Sequence, residues 1–208
     1  MLQPLQIVGD VAVLAERHGL LCLDFTNTAG GHTKIREVER IPTYADALSW
    51  GVAAEALAPA EAKALLYLAK AHPKEAARRV HDLHVHREAL HRAVVAIAHQ
   101  ETPAAPDFAK VRGIIAKSLS VAALGDDDSG FVWSVDPATG GLGTVLARVA
   151  LSAHHMFARE KPSQLRQCEV CTWLFIDRTK NQKRRFCRQD ACGNKARARR
   201  FYERQREI

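Results

Sequence analysis

Four cysteines, Cys168, Cys171, Cys187 and Cys192, are spaced C-x2-C-x15-C-x4-C. Thiolates at that spacing can close a tetrahedral zinc site, which forces the intervening chain to turn back on itself. Disulfides are the rival reading of any four cysteines. Zinc is favoured because the opening Met1-Leu2-Gln3-Pro4-Leu5 lacks the basic region of a secretory signal, and because Cys168-Glu169-Val170-Cys171 has the form of a metal knuckle. A disulfide scheme would also leave Cys22 unpaired. The chain reads as cytoplasmic, where thiols stay available for metal.

The same segment holds most of the positive charge. From Lys161 onward there are fourteen basic and five acidic residues, formally +9, against −2 for residues 1–160. A zinc ion bound by four thiolates would remove two charges and leave the segment basic. The attraction for an anion is therefore expected to lie in the tail. No apolar run approaches a membrane span, so no membrane partner is expected.

The first 160 residues read as mainly helical. Thr43 with Asp46 forms a capping-box pattern opening a helix with Tyr44, Ala47 and Leu48 on one face. Pro59 begins a second helix running to about Ala71. Pro73 starts the longest, to about His99, with a buried stripe of Val80, Leu83, Leu90, Val94 and Ile97. Phe108, Val111 and Ile115 mark another. Leu119, Val121 and Ala123 and then Phe131 to Val135 read as two strands around the solvated loop Gly125-Asp126-Asp127-Asp128-Ser129-Gly130. A last helix spans about Leu142 to Arg159, and Lys161-Pro162-Ser163 marks the boundary between domains 1–160 and 161–208.

In the basic segment, Trp173 to Ile176 and Lys183 to Cys187 are expected to form the two strands of a small hairpin. Metal must supply the stability that so small a module lacks. Trp173, Phe175 and Phe186 are read as its minimal core, with stacking on bases the rival role. Beyond Cys192, strong helix formers predict a basic helix, with Ala198 and Phe201 turned toward the knuckle. Lys183, Arg184, Arg185, Arg188, Lys195, Arg197, Arg199, Arg200, Arg204 and Arg206 are the candidate nucleic-acid contacts. Asn194 either caps this helix or reaches a base edge, and the cap is favoured.

These motifs carry a resemblance. Cys168-x2-Cys171, Leu174 to Arg178, Arg184 to Cys187 and Cys192-Gly193-Asn194-Lys195 resemble the CGNR-type zinc finger. Leu23-Asp24-Phe25-Thr26-Asn27-Thr28 is similar to the start of the ABATE domain that precedes this finger in stress-induced transcription regulators. The resemblance implies a bacterial regulator with zinc on the four cysteines, a DNA-binding finger, and a helical domain that serves as sensor or scaffold. One departure is visible: the fourth letter of the finger's motif is Lys195, not Arg. A phosphate contact survives that change, whereas a bidentate guanine contact by this residue loses its basis.

Within the first domain, Asp24 and Arg87 are expected to pair, with Asn27 nearby, either as a structural ion pair or as a small effector pocket. His81, His84, His86, His91 and His99 crowd the long helix. His84 and Glu88 at i, i+4 lack a third ligand, so exposed helix surface is the reading for most of them. Cys22 reads as a buried, inert thiol. No Gly-rich phosphate loop, GxSxG elbow or HExxH is present, so an enzyme is not expected.

The expected fold is mainly α with a small β-hairpin (α+β) in the N-terminal domain, followed by a small treble-like zinc finger made of a β-hairpin and a basic helix. The expected function is a DNA-binding transcription regulator with structural Zn2+. Its rivals are a protein-interaction module docking an acidic partner and an RNA-binding role. A small-molecule effector or protein partner and a homo-oligomer are consistent with the chain.

Overall fold

A computed structural model describes residues 19–127 and 130–206. The opening residues read above for a signal, and Asp128 and Ser129 of the hairpin loop, lie outside the described residues.

Helix α1 (Leu21–Thr26) is short and almost wholly buried. Helix α2 (Tyr44–Ala53) opens on the expected capping box: Asp46 N–H donates to the Thr43 hydroxyl while the Asp46 carboxylate accepts from Thr43 N–H. Proline sits in the first turn of both α3 (Pro59–Ala71) and α4 (Pro73–Ala98), where its missing N–H costs nothing. At 26 residues α4 is about 39 Å long, and it is the spine of the molecule. It packs against α1, α2, α3 and α5 (Ala105–Leu119). Val80, Leu83, Leu90 and Val94 are buried along it as the periodicity requires.

Strands β1 (Ala123–Asp127) and β2 (Gly130–Ser134) form an antiparallel hairpin in which Leu124 faces Trp133 and Asp126 faces Phe131. Leu119 and Val121 do not join β1 as expected: Leu119 completes the last turn of α5, and Val121 lies in the turn that follows. A short turn of helix, α6 (Pro137–Gly140), leads to α7 (Thr144–Arg159). Its face of Val145, Leu146, Val149, Ala153 and Met156 is buried. It packs against α1, α2 and α5.

After a helical turn at Pro162–Gln164 come β3 (Leu165–Gln167) and β4 (Leu174–Ile176), which pair antiparallel. The second strand of this hairpin is therefore β3, ahead of the first cysteine, and not Lys183 to Cys187. The latter segment is held by other bonds: Arg184 N–H donates to the Asp177 carboxylate at 2.8 Å, and the Arg185 carbonyl accepts from Glu169 N–H at 3.1 Å. The chain ends its described course in α8 (Asn194–Arg206).

The composition break at Lys161 is not a break in the core. Leu165, Trp173, Leu174, Phe175, Ile176 and Phe186 join one continuous apolar cluster with Phe25, Trp50, Leu83, Leu90 and Met156. Strands β3 and β4 both lie against α4, and β4 also touches α1. Among the described residues no helix is long and apolar enough to cross a membrane.

Candidate metal centre and basic helix

The chain returns after 15 residues from Cys171 to Cys187, and the turn is built by one buried carboxylate. Asp177 is fully buried and accepts from Thr179 N–H at 3.0 Å, the Thr179 hydroxyl at 2.6 Å and Arg184 N–H at 2.8 Å. Burial alone would raise its pKa. The bonds from Thr179 and Arg184 outweigh burial and hold the carboxyl below its ordinary value.

The sulfurs of Cys168, Cys171, Cys187 and Cys192 then all lie within 4.8 Å of one another, and all four residues are buried. None of them is in a disulfide. Cys171–Cys187, Cys187–Cys192 and Cys192–Cys171 are separated by 3.7, 3.6 and 3.8 Å. A tetrahedral zinc ion with Zn–S bonds of about 2.3 Å needs sulfur–sulfur edges of about 3.8 Å. The donor set fits zinc in both chemistry and size. Hydrogen bonds from Cys171 and Cys187 draw Cys168 well below the ordinary thiol range, while those same bonds raise Cys171 and Cys187 and burial raises Cys192. The four cysteines form a structural zinc site: with every position taken by sulfur, no water could be activated there.

The knuckle is clamped by a loop of the helical domain. The Asn27 side-chain amide donates to the Leu174 carbonyl and its oxygen accepts from Leu174 N–H, each at 2.9 Å, with both residues fully buried. It thus completes the free edge of β4 as a neighbouring strand would. Lys34 Nζ donates to the Cys168 carbonyl at 2.6 Å, and the His91 imidazole reaches the Thr172 carbonyl at 2.9 Å. Gly31 has φ +109, and a Cβ there would stand 2.3 Å from Trp173 Nε1. Only glycine allows this approach.

The clamping loop is itself tied to α4. Arg36 makes a two-pronged pair with Glu88 at 2.8 and 3.0 Å and also donates to the Thr26 carbonyl. Arg87 is almost fully buried and pairs with Glu39 and Glu88, with the Thr28 hydroxyl as a further acceptor. The carboxylate partners of Arg87 are therefore Glu39 and Glu88, not Asp24. Burial would raise both glutamates, but Arg87 on Glu39 and Arg36 on Glu88 draw them below their ordinary values. Four of the five Arg87 N–H donors are taken by Glu39, Glu88 and Thr28, and Asp24 is buried on α1. Nothing in the sequence marks Lys34, Arg36, Glu39 or His91 as partners across the chain.

Among the histidines, exposed surface accounts for His81 and His99 but not for His86 and His91, which are buried. His84 bonds the Ile41 carbonyl at 2.8 Å, and Glu88 is taken by arginines. Among the described residues the cysteine cluster is the metal-type grouping that forms. Cys22 is fully buried, and burial pushes its thiol up to about 12, in keeping with an inert role.

The ten candidate cations divide. Arg184 stacks 4.5 Å from the Phe175 ring centroid and donates to the Phe186 and Cys187 carbonyls, so it braces the finger. Arg185 is paired with Glu169, Arg188 with Asp190 and Arg199 with Glu203. Arg197 donates to the Asn194 side chain, which donates in turn to the Asp190 carbonyl, so Asn194 performs a local structural task. Arg200 bonds only the Ala196 carbonyl. Lys183, Lys195, Arg204 and Arg206 have no acidic partner among the described residues. Trp173, Phe175 and Phe186 are buried, as a minimal core requires.

Helix α8 leaves the body. None of its residues is buried, and only Ala196 packs against the core. Ala198 and Phe201, expected to face the knuckle, are exposed instead. The π-type turn Gln189–Gly193 that delivers Cys192 aims the helix outward after one turn.

Two family models match the chain in this order. ABATE, described as "Putative stress-induced transcription regulator", matches residues 19–160. The CGNR zinc finger matches residues 164–205. No curated protein matches the chain. With the larger match covering more than half its length, the chain belongs to the ABATE family and carries a CGNR zinc finger after that domain.

Proposed function

We propose that this zinc-binding regulator acts by binding duplex DNA through α8 and the neighbouring finger surface. The observation that carries the proposal is the helix itself. It spans 13 residues with no buried face, and its line Lys195, Arg199, Arg206 lies on nearly the opposite side from the line Arg197, Arg200, Arg204. A helix without a buried face gains little from the core, and this one is denser in cations than solubility needs. At about 20 Å it has the length to lie in a major groove, with phosphates within reach on both flanks. Zinc fixes the first turn of that helix relative to the hairpin, and the Asn27 and Lys34 contacts fix the finger on the helical domain. An effector or partner acting on the helical domain would thereby alter how α8 is presented.

The test is fluorescence anisotropy with zinc-loaded protein and fragments selected from genomic DNA. Arg200→Glu with Arg204→Glu should abolish binding while leaving the melting temperature unchanged. If the doubly reversed protein binds as well as the parent, the proposal fails. Preferential capture of an acidic protein, or of RNA over duplex DNA, would favour the rival roles.

A further inference from the structure

We infer that the β1–β2 hairpin is a homodimerisation element, in which β2 of two copies pair antiparallel across a two-fold axis to build a four-stranded sheet. The hairpin touches the body lightly, through β2 against α7. All five residues of β2 are exposed. Phe131 is 83%, Leu124 54%, Trp133 45% and Val132 42% exposed. The strand alternation and the register put Leu124, Phe131 and Trp133 on one face, with Asp126 opposite Phe131 on that same face. A two-stranded sheet with two open edges is marginal in water, and natural edges are protected by charge, proline or a bulge. Strand β2, Gly-Phe-Val-Trp-Ser, has no charge and no proline, and its register with β1 runs without a bulge.

The base of this arm is firm. Val135 is fully buried with Ala147 and Leu151, and Arg148 donates to the Val135 carbonyl at 2.9 and 2.8 Å. A held base with an exposed apolar arm is the arrangement of an interface, not of a frayed loop.

The sequence of β2 selects a second copy as occupant. With the two-fold axis at Val132, Phe131 of each copy falls opposite Trp133 of the other and Gly130 opposite Ser134. Two aromatic cross-strand pairs form at once, on the face that also carries both Leu124 side chains. Asp126 of the two copies then lies on the two outer strands and does not meet its counterpart. From Val121 to Val135 there is no basic residue, which excludes DNA as the occupant. Phe131 and Trp133 expose roughly 280 Å2 between them. Lateral pairing covers only the facing sides of Phe131, Val132 and Trp133, so the contact is smaller than the roughly 1,000 Å2 at which stable interfaces begin, and the dimer is weak and concentration-dependent.

The experiment is sedimentation equilibrium of the zinc-loaded full chain. The expected result is a species of twice the 23.0 kDa chain mass. Val132→Lys sets two like charges opposite each other on the axis and should weaken the dimer by about 30-fold or more with the melting temperature retained. Val132→Cys should form a disulfide-linked dimer under mild oxidation, whereas Ala123→Cys, on the outer strand, should not. A chain that stays monomeric at 100 μM, leaving the arm for a strand of a different protein, would overturn the inference. So would a dimer that Val132→Lys leaves intact, or one in which Ala123→Cys cross-links in place of Val132→Cys.

Discussion

Replacing Asn27 by Ala should destabilise the whole molecule and not the finger alone. Asn27 and Leu174 are fully buried, and the amide exchanges two 2.9 Å hydrogen bonds with the Leu174 backbone. Alanine would leave one buried N–H and one buried carbonyl unpaired, at about 1–3 kcal/mol each. The sum of about 4 kcal/mol is a large part of the stability of an ordinary domain. It corresponds to a fall of roughly 10 °C in Tm for a chain of this size. The assay is guanidinium unfolding of the zinc-loaded protein, followed by circular dichroism for the helices and by tryptophan fluorescence. Trp50 lies in α2 and Trp173 at the knuckle, so both halves contribute to the signal. One coincident transition with a lower midpoint and an unchanged slope is expected. Loss of less than about 1 kcal/mol, or a separate finger transition with the helices untouched, would refute a shared core.

Two other outcomes follow from the same contacts. His86 is buried with neither ring nitrogen bonded among the described residues, and burial lowers its pKa to about 4. The unfolded histidine titrates near its ordinary 6.5, so the unfolded state gains protons first as pH falls. The cost begins below about pH 6.5, reaches about 2 kcal/mol at pH 5 and levels off below about pH 4. His86→Leu should therefore flatten the fall of Tm between pH 7 and pH 5, measured by differential scanning fluorimetry. Removing zinc with a chelator should loosen β3, β4 and the Asn27–Ile41 loop together, read as faster amide exchange in both segments, while α5 remains protected.

The elements with strong local signals were legible in the sequence. The Thr43 box, Pro59 and Pro73 start their helices where the pattern places them, because capping and proline act within one turn. The zinc quartet was equally plain, since ligand spacing is a covalent constraint. Contacts between distant segments were not. The Asp24–Arg87 expectation had the right cation and the wrong acid, because Glu39 reaches Arg87 only after the loop folds back through the Gly30-Gly31 turn. The second finger strand was misplaced for a similar reason: β3 pairs with β4, while Asp177 and Glu169 draw the basic segment into a turn. Arg184 looked like its neighbours in a charge run, yet it stacks on Phe175 inside the finger. Charge runs show where cations are but not which way each one points.

The proposed contact of α8 with DNA phosphates is tested most directly by the salt dependence of duplex binding by the zinc-loaded chain. Lys183, Lys195, Arg200, Arg204 and Arg206 have no acidic partner among the described residues. If about four of them neutralise phosphates, log Kobs against log salt should have a slope of about −3.6, which is on the order of a 100-fold loss from 50 to 200 mM. Replacing Lys195 and Arg204 by Ala should lower the slope by about 2. No binding at 50 mM salt, or a slope unmoved by those replacements, would contradict the account.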